Sequence, residues 1–256
     1  MAQDISIGPT YRSFELLTAA NKIRGATHVV LRGQNATIGT TPETYWVQSG
    51  AYTWNSAAVL EITSTDNVAD NAAGTGALTV TIEGLNASYA EISETIVMDG
   101  QTNSDTTAAF LRVNRMFVAT SGSGGVNAGT IYASTGAQVA GVPSVASTIR
   151  MTIAAGEGES RAALYTVPAG KVAYVTDVTA ATSDGTNNVL TTFRSRVSAT
   201  APWLIKDAFV ILAGTTRIPH DMPLVFPAAS DLELIGDASA STVDAYGSFS
   251  LILLDA

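Results

Sequence analysis

The chain has 256 residues, no cysteine, 46% hydrophobic and 14% charged residues, and a formal net charge of −9. This length is enough for one large or two ordinary domains with a sizeable core. The lack of cysteine excludes a disulfide scaffold, a thiolate metal site and a cysteine nucleophile. Direct nucleic-acid binding is not expected, because phosphate contacts need Lys and Arg, and lysine occurs only at Lys22, Lys171 and Lys206.

The N-terminal residues 1–27 are interpreted as an arm that precedes the first domain. The segment lacks the basic start and apolar stretch of a secretory signal, and no later span reaches the roughly 20 apolar residues of a membrane helix. We expect no membrane partner. The candidate partner-binding side chains of the arm are Tyr11, Phe14, Leu16 and Leu17. The alternative is that the arm packs on its own domain, as ordered termini often do.

The periodicity along the rest of the chain is that of β-strands. Leu78, Val80 and Ile82 alternate with polar residues, which is the two-residue repeat of a strand buried on one face. Similar alternation occurs at residues 149–153, 193–197 and 249–253, with turn signals at Asp99-Gly100, Pro168-Ala169-Gly170 and Asp184-Gly185. The pattern predicts an all-β protein.

A polar, glycine-rich stretch at residues 119–129 and a second polar stretch through residue 147 divide the chain. We therefore predict two tandem antiparallel β-sandwich domains, of jelly-roll or Ig-like type, at residues 28–147 and 148–256, with the N-terminal arm at 1–27.

The first predicted domain is strongly acidic. From Gly33 to Leu111 there is no Lys or Arg, whereas nine Asp and Glu residues are present. Such a surface attracts a basic partner or a cation, but net charge also serves solubility alone, which is the more ordinary explanation.

The two histidines limit catalytic interpretations. His28 lies at the start of a predicted strand, where a structural role is expected, and His220 and Asp221 are neighbours on an extended segment, so they point to opposite faces. No Gly-x-Ser-x-Gly motif supplies a nucleophile. A serine hydrolase is not expected.

Carboxylate groups occur at Glu91 and Glu94, and at Asp231, Glu233 and Asp237. A glycosidase needs two carboxyl groups that face each other roughly 5–10 Å apart, and the sequence does not show such a pair. A solvated strand face is the favoured interpretation, so we predict no catalytic residue and no enzyme activity.

Two predicted loops carry closely spaced side-chain oxygens of the kind that bind calcium. Asp66 and Asp70 lie in one loop, and Asp99 and Asp105 lie in another. Neither loop has the EF-hand order, and Asp is an ordinary turn residue. Whether either loop binds calcium stays open, and no metal-binding or cofactor-binding residue and no cofactor are predicted.

Several segments carry a resemblance to a known family. The stretches at residues 43–54, 71–85, 91–100, 110–115 and 164–171 resemble virion structural proteins of tailed bacteriophages, especially marine and cyanobacterial ones. The resemblance covers most of the chain from about residue 28 onward. Its motifs are strands and turns, and none is catalytic.

The resemblance implies a virion protein made in the host cytoplasm, with capsid decoration, or cement, as the expected role. Its partners would be the major capsid protein, on the shell exterior, and other copies of itself, as a homotrimer. A tail component, such as an adaptor, fibre or receptor-binding module, is the alternative, and a virion-associated glycan-cleaving enzyme is a third.

Overall fold

The computed structural model describes residues 17, 18, 20 and 22–256. Three of the four predicted anchors of the N-terminal arm, Tyr11, Phe14 and Leu16, lie outside these residues. The fourth, Leu17, is half-buried, and its carbonyl accepts a hydrogen bond from the Lys22 amide at 2.8 Å. The role of the arm therefore stays a prediction.

The described chain is built from strands, which confirms the all-β prediction. The strands are Ala26–Ile38 (β1), Glu43–Thr44 (β2), Ala58–Ser64 (β3), Ala77–Leu85 (β4), Glu91–Val97 (β5), Ser104–Phe110 (β6), Arg112–Ser121 (β7), Ile131–Ser134 (β8), Gln138–Val139 (β9), Val142–Pro143 (β10), Met151–Ile153 (β11), Leu164–Thr166 (β12), Lys171–Thr182 (β13), Val189–Arg196 (β14), Leu204–Ile211 (β15), Gly214–Phe226 (β16), Asp231–Ala238 (β17) and Val243–Asp255 (β18). A 3-10 helix spans Ala146–Thr148.

Strands from both ends of the chain form one sandwich, here called the terminal sandwich. One of its sheets has the order β1-β18-β13-β16, and the other has the order β12-β17-β14-β15, with β2 also paired to β17. The strand pairs are antiparallel. Alternate side chains of the two sheets meet in one core, where the rings of Phe193 and Phe249 lie 5.1 Å apart. Burial of this apolar surface is the main stabilising contribution to the sandwich.

The middle of the chain forms the second, inserted sandwich. Its sheets have the orders β11-β8-β3-β6 and β5-β4-β7. Two of the three side chains that the sequence pattern predicted to be inward on β4 are in its core, since Val80 and Ile82 are fully buried there with Leu60 and Met116, whereas Leu78 is half-buried. Strands β9 and β10 form a separate short hairpin.

The strand pairing departs from the tandem arrangement that the sequence predicted. Strand β1 pairs with β18 from Ala26↔Leu254 onward, so residues 26–44 belong with the C-terminal strands rather than with the strands that follow them. The return to the terminal sandwich comes after Ile153, because β11 still pairs with β8, and thus beyond the predicted boundary near 147. The physical reason is that alternation identifies a strand but leaves its partner open.

The two segments that connect the sandwiches run side by side. Backbone hydrogen bonds join Ala163 N to Tyr45 O at 2.8 Å and Val47 N to Arg161 O at 3.2 Å. Gly33 of β1 packs against this crossing so closely that an added Cβ would lie 1.9 Å from the Tyr45 carbonyl oxygen. The crossing places the outer face of β17 against the inserted sandwich.

Candidate functional site

The junction between the sandwiches holds a cluster of buried charges on β17. Leu232 and Leu234 point into the terminal core, so the alternation of the strand sends Asp231 and Glu233 to the opposite face. That face is covered by the inserted sandwich, and both carboxylates are fully buried. Buried carboxylates need paired charges and hydrogen-bond donors.

Asp231 is bonded to both sandwiches at once. Its Oδ1 accepts hydrogen bonds from Arg112 Nε at 3.0 Å and Thr166 Oγ1 at 2.6 Å, and its Oδ2 accepts from Arg112 Nη2 at 3.2 Å and Arg196 Nε at 2.8 Å. Arg112 begins β7 of the inserted sandwich, whereas Thr166 and Arg196 belong to the terminal sandwich. Both oxygens are thus occupied by charge-assisted or hydroxyl donors.

Glu233 has a separate set of partners two residues along the same strand. Its Oε2 accepts from Arg194 Nε at 3.1 Å and Nη2 at 2.8 Å, and its Oε1 accepts from Thr44 Oγ1. The Thr44 hydroxyl oxygen in turn accepts from the Tyr52 amide at 2.8 Å. Burial raises the pKa of the Glu233 carboxyl, an effect that the Arg194 guanidinium and the Thr44 hydrogen bond oppose.

Aromatic rings line the arginines of the cluster. The rings of Trp54 and Trp203 lie 5.5 Å apart, and the Arg196 guanidinium lies 4.7 Å from the Trp203 ring centroid. Arg112 lies 5.0 Å from the Trp54 centroid, and Arg194 lies 4.5 Å from that of Trp203. Cations over indole rings are stabilised by the ring quadrupole, and more so when desolvated. The cluster is therefore a clamp of carboxylates, guanidinium groups and rings, which we call the junction clamp.

The junction clamp shows how the carboxylates of β17, which the sequence analysis considered as a glycosidase pair, are used. Asp231 and Glu233 have their oxygens occupied by arginine and threonine donors, so they are not arranged as an acid and a base across an open cleft. Asp237 lies further along β17, opposite Leu190 of β14. On the inserted sandwich, Glu94 accepts from the backbone amides of Thr107 and Ala108 at 2.7 and 3.0 Å.

Sequence reasoning missed the clamp although a signal was present. Arg194 and Arg196 alternate with apolar and small residues in the same rhythm as Asp231 and Glu233. In the structure these are direct cross-strand pairs, Arg194↔Glu233 and Arg196↔Asp231. Two ladders of opposite charge with equal spacing are a sign of neighbouring antiparallel strands.

A cleft of about 610 Å³ lies beside the junction, between β1 and the inserted sandwich. Several of its charged wall residues pair with each other: Arg115 Nε donates to Glu159 Oε1 at 2.6 Å, and Arg115 also contacts Glu83 at 3.5 Å. Arg161 pairs with Glu157. The lining is a mixture of charges and does not favour a ligand of one sign.

The structure brings the two histidines together. His28 and His220 line one surface pocket of about 590 Å³ with Asp177. His220 Nε2 bonds to Asp207 Oδ2 at 2.8 Å and not to its sequence neighbour Asp221, in agreement with the opposite faces expected for adjacent residues. Since β15 and β16 are the last strands of opposite sheets, this hydrogen bond joins the two sheets of the terminal sandwich at their edges.

The two candidate calcium loops use their acidic groups to organise turns. Asp70 is fully buried, and its oxygens accept from the amides of Ala77, Ala128 and Gly129, each at 2.8 Å, and from Ser64 Oγ at 2.6 Å. Asp105 accepts from the Asn103 amide group at 2.9 Å. Nowhere in the described part of the chain do three or more His, Asp or Glu side chains gather in a way that could hold a metal ion.

The comparisons with known proteins add little to this geometry. No family model and no curated protein match the sequence. Among solved structures, the chain has 10% identity to the structure of infectious bursal disease virus Gt strain over 90% of this chain and 72% of that chain, with a TM-score of 0.21. The infectious bursal disease virus VP2 subviral particle gives 8% identity, 91% and 77% coverage, and a TM-score of 0.17. The function proposed below does not rest on these similarities.

Among residues 22–256, no helix has the length and apolar character needed to cross a membrane.

Proposed function

We propose that this chain is a structural protein of a bacteriophage virion and that it acts as a capsid decoration, or cement, protein on the outside of the shell. The observation that carries the proposal is the junction clamp. It joins two sandwiches into one body through Asp231, which is fully buried and bonded to both of them.

The clamp suits a mechanical role. Two sandwiches joined by peptide segments alone would be expected to move relative to each other. Here the paired crossing segments and the Arg112–Asp231 pair oppose such motion. A protein that bridges neighbouring shell subunits must transmit force between its own contacts, and a rigid body does so better than a hinged one.

The resemblance to bacteriophage virion proteins supports the proposed partner and assembly. It implies the major capsid protein as the partner, with contacts that bury area across the joints between shell subunits, and a homotrimer as the assembled form. The N-terminal arm, with Tyr11, Phe14, Leu16 and Leu17, is the proposed shell contact. In this role no cofactor, nucleic acid or membrane is required, and no catalysis is invoked.

The first experiment is the copy number of this chain relative to the major capsid protein in purified particles, measured by quantitative mass spectrometry. A ratio near one copy per shell subunit, or one trimer per local threefold position, supports decoration. A ratio of a few per cent overturns it and makes the chain a tail or vertex component instead.

A second experiment tests the mechanical role. Particles lacking the protein are decorated with the purified wild type, with Arg112→Ala, or with the control Arg115→Ala, whose ion pairs are exposed. We expect wild type and Arg115→Ala to raise the temperature at which packaged DNA is released, and Arg112→Ala to protect less at equal occupancy. Equal protection by all three proteins would contradict a role for the clamp in carrying load.

A further inference from the structure

One face of the terminal sandwich exposes large apolar side chains. Leu190 of β14 and Val210 of β15 are cross-strand neighbours on the outer face of the sheet, exposed by 42% and 55%, and Ile205 and Leu212 are exposed by 69% and 54%. We call these four residues the β15 face. All exposed Leu, Ile and Met side chains of the described chain lie between residues 190 and 222. The large apolar side chains exposed on the inserted sandwich are all valines. Apolar patches of this kind mark interaction sites.

The β15 face continues a surface that already serves as an interface. The β12 and β17 side of the same sheet is covered by the inserted sandwich, where Asp231 and Glu233 are fully buried. On β14 this cover ends between Thr192, which is 8% exposed, and Leu190, and on β15 Ile205 and Val210 are exposed. The sheet is therefore half covered and half bare on one face.

The edges beside this face are unsuited to strand addition. Strand β15 has an irregularity at Lys206, between the pairs Phe193↔Asp207 and Arg194↔Ile205. The neighbouring edge strand β16 carries Pro219 and Pro223 around a larger irregularity. Lysine, proline and bulges on edge strands prevent pairing with another chain. A partner must then pack on the face of the sheet and not extend it.

The charges beside the patch are complementary to a second copy of the same surface. The side chains of Lys206 and Asp237 form no ion pair or hydrogen bond with the described residues. Asp237 lies opposite Leu190, whereas Lys206 lies about 10 Å further along the strands, near Arg194. When two such surfaces meet, Lys206 of each copy can lie against Asp237 of the other, in a two-fold pair or in a closed ring.

We propose that the β15 face is the contact between copies of this chain, with Leu190, Ile205, Val210 and Leu212 packed at its centre and Lys206 paired with Asp237 of the neighbouring copy. The pairing offsets the repulsion expected between molecules of net charge −9. The proposal rests on the homotrimer of the proposed function and gives it a contact surface, and it is tested on the purified chain alone, so its failure is distinguishable from failure of the virion role.

The test is the mass of the full chain in solution, measured by sedimentation equilibrium from low to high micromolar concentration. We expect a concentration-dependent dimer or trimer. Val210→Asp should weaken it at least tenfold, while the control Val68→Asp, at a 76% exposed site on the inserted sandwich, leaves it unchanged. Circular dichroism and melting temperature verify that both variants are folded.

Charge exchange tests the proposed pairing directly. Lys206→Glu and Asp237→Lys, made singly, should each weaken association, and the double variant should regain most of it. A chain that stays monomeric throughout, association that none of these variants alters, or a double variant weaker than both single ones would overturn the proposal. So would a monomer whose β15 face is needed for binding to purified shells, since this result would assign the face to the shell protein.

Discussion

The guanidinium group of Arg112 and the carboxylate of Asp231 form a two-point ion pair across the junction, with Nε–Oδ1 and Nη2–Oδ2 distances of 3.0 and 3.2 Å. The remaining guanidinium nitrogen, Nη1, donates to the carbonyl oxygens of Asn55 and Leu111, each at 2.9 Å. The pair is removed from solvent, with side-chain exposures of 2% and 0%. Loss of Arg112 would leave Arg196 as the only ionic partner of Asp231, and loss of Asp231 would leave the buried Arg112 guanidinium without a carboxylate.

The first prediction concerns this pair. Arg112→Ala should lower the free energy of unfolding by about 1.5–3 kcal/mol, because it removes two of the four hydrogen bonds to the buried Asp231 carboxylate and leaves Arg196 as its only ionic partner. The control Arg115→Ala removes a guanidinium whose side chain is 46% exposed, and it should cost no more than about 1 kcal/mol. Urea denaturation measures both values. Equal losses in the two variants would contradict the importance of burial.

The second prediction concerns the close approach at the crossing. Gly33→Ala should destabilise the protein by about 1–3 kcal/mol or more, because the new Cβ meets the Tyr45 carbonyl oxygen and the Ala163 amide nitrogen at 1.9 and 2.6 Å. Gly185→Ala is the control, since its Cβ would meet only Ala213 Cβ at 3.9 Å, and its effect should stay within about 1 kcal/mol. Thermal unfolding of the two variants tests the difference, and a tolerated Gly33→Ala would show that β1 can move away from the crossing.

The third prediction concerns alkaline pH. Burial raises the pKa of Tyr45 and of Tyr52 to about 12, whereas unfolded tyrosine titrates near about 10. The folded state therefore keeps protons that the unfolded state loses, so each phenol stabilises the fold below pH 10 and this contribution is lost as the pH rises toward 12. The expected slope is about 1.4 kcal/mol per pH unit for each tyrosine.

Tyr45→Phe tests the alkaline effect. The variant loses the hydrogen bond between the phenol and Thr191 Oγ1, which spans 2.7 Å, so it should be less stable than the wild type at pH 8. Its stability should then fall less steeply between pH 10 and 12. Parallel pH profiles for the two proteins in denaturant titrations would show that Tyr45 ionises normally in the fold.

The fourth prediction concerns the loop of Asp70. Asp70→Asn should cost about 2 kcal/mol or more, because an amide group replaces one of two oxygens that accept four buried hydrogen bonds. The control Asp66→Asn alters a partly exposed turn in which the carboxylate accepts from the amides of Val68 and Ala69, and it should cost less than about 1 kcal/mol, because the amide oxygen of Asn can still accept. Millimolar calcium should leave the melting temperature of the wild type unchanged, and an increase would reveal a cation site.

The strands were the most predictable part of the fold. Val80 and Ile82 on β4, and Phe249 and Leu251 on β18, have buried side chains at the alternate positions that the sequence indicated. This works because each strand has one face in a core, so composition alone records its orientation. Alternation predicts burial less well on β17, where Asp231 and Glu233 are buried on the face opposite the core.

The partners of the strands were not predictable from local pattern. The pairing of Ala26 with Leu254 joins residues from opposite ends of the chain, and no short-range signal encodes it. The junction clamp depends on the same long-range arrangement, since Arg112 reaches Asp231 only once β17 lies against the inserted sandwich. The charge ladder between β14 and β17 could have been proposed from the sequence. The participation of Arg112 from β7 could not.

The pairing of β1 with β18 also has a consequence for synthesis. The inserted sandwich has all its strands once Ile153 has been made, whereas the terminal sandwich lacks its last strand until residues 243–255 follow. At the usual rate of synthesis the interval of about 100 residues lasts roughly 5–20 s. During that time the edge of β1 is unpaired and the apolar side chains of Leu31 and Ile38 lack their core contacts with β18. The nascent chain would then be most accessible to chaperones and to mispairing with other chains.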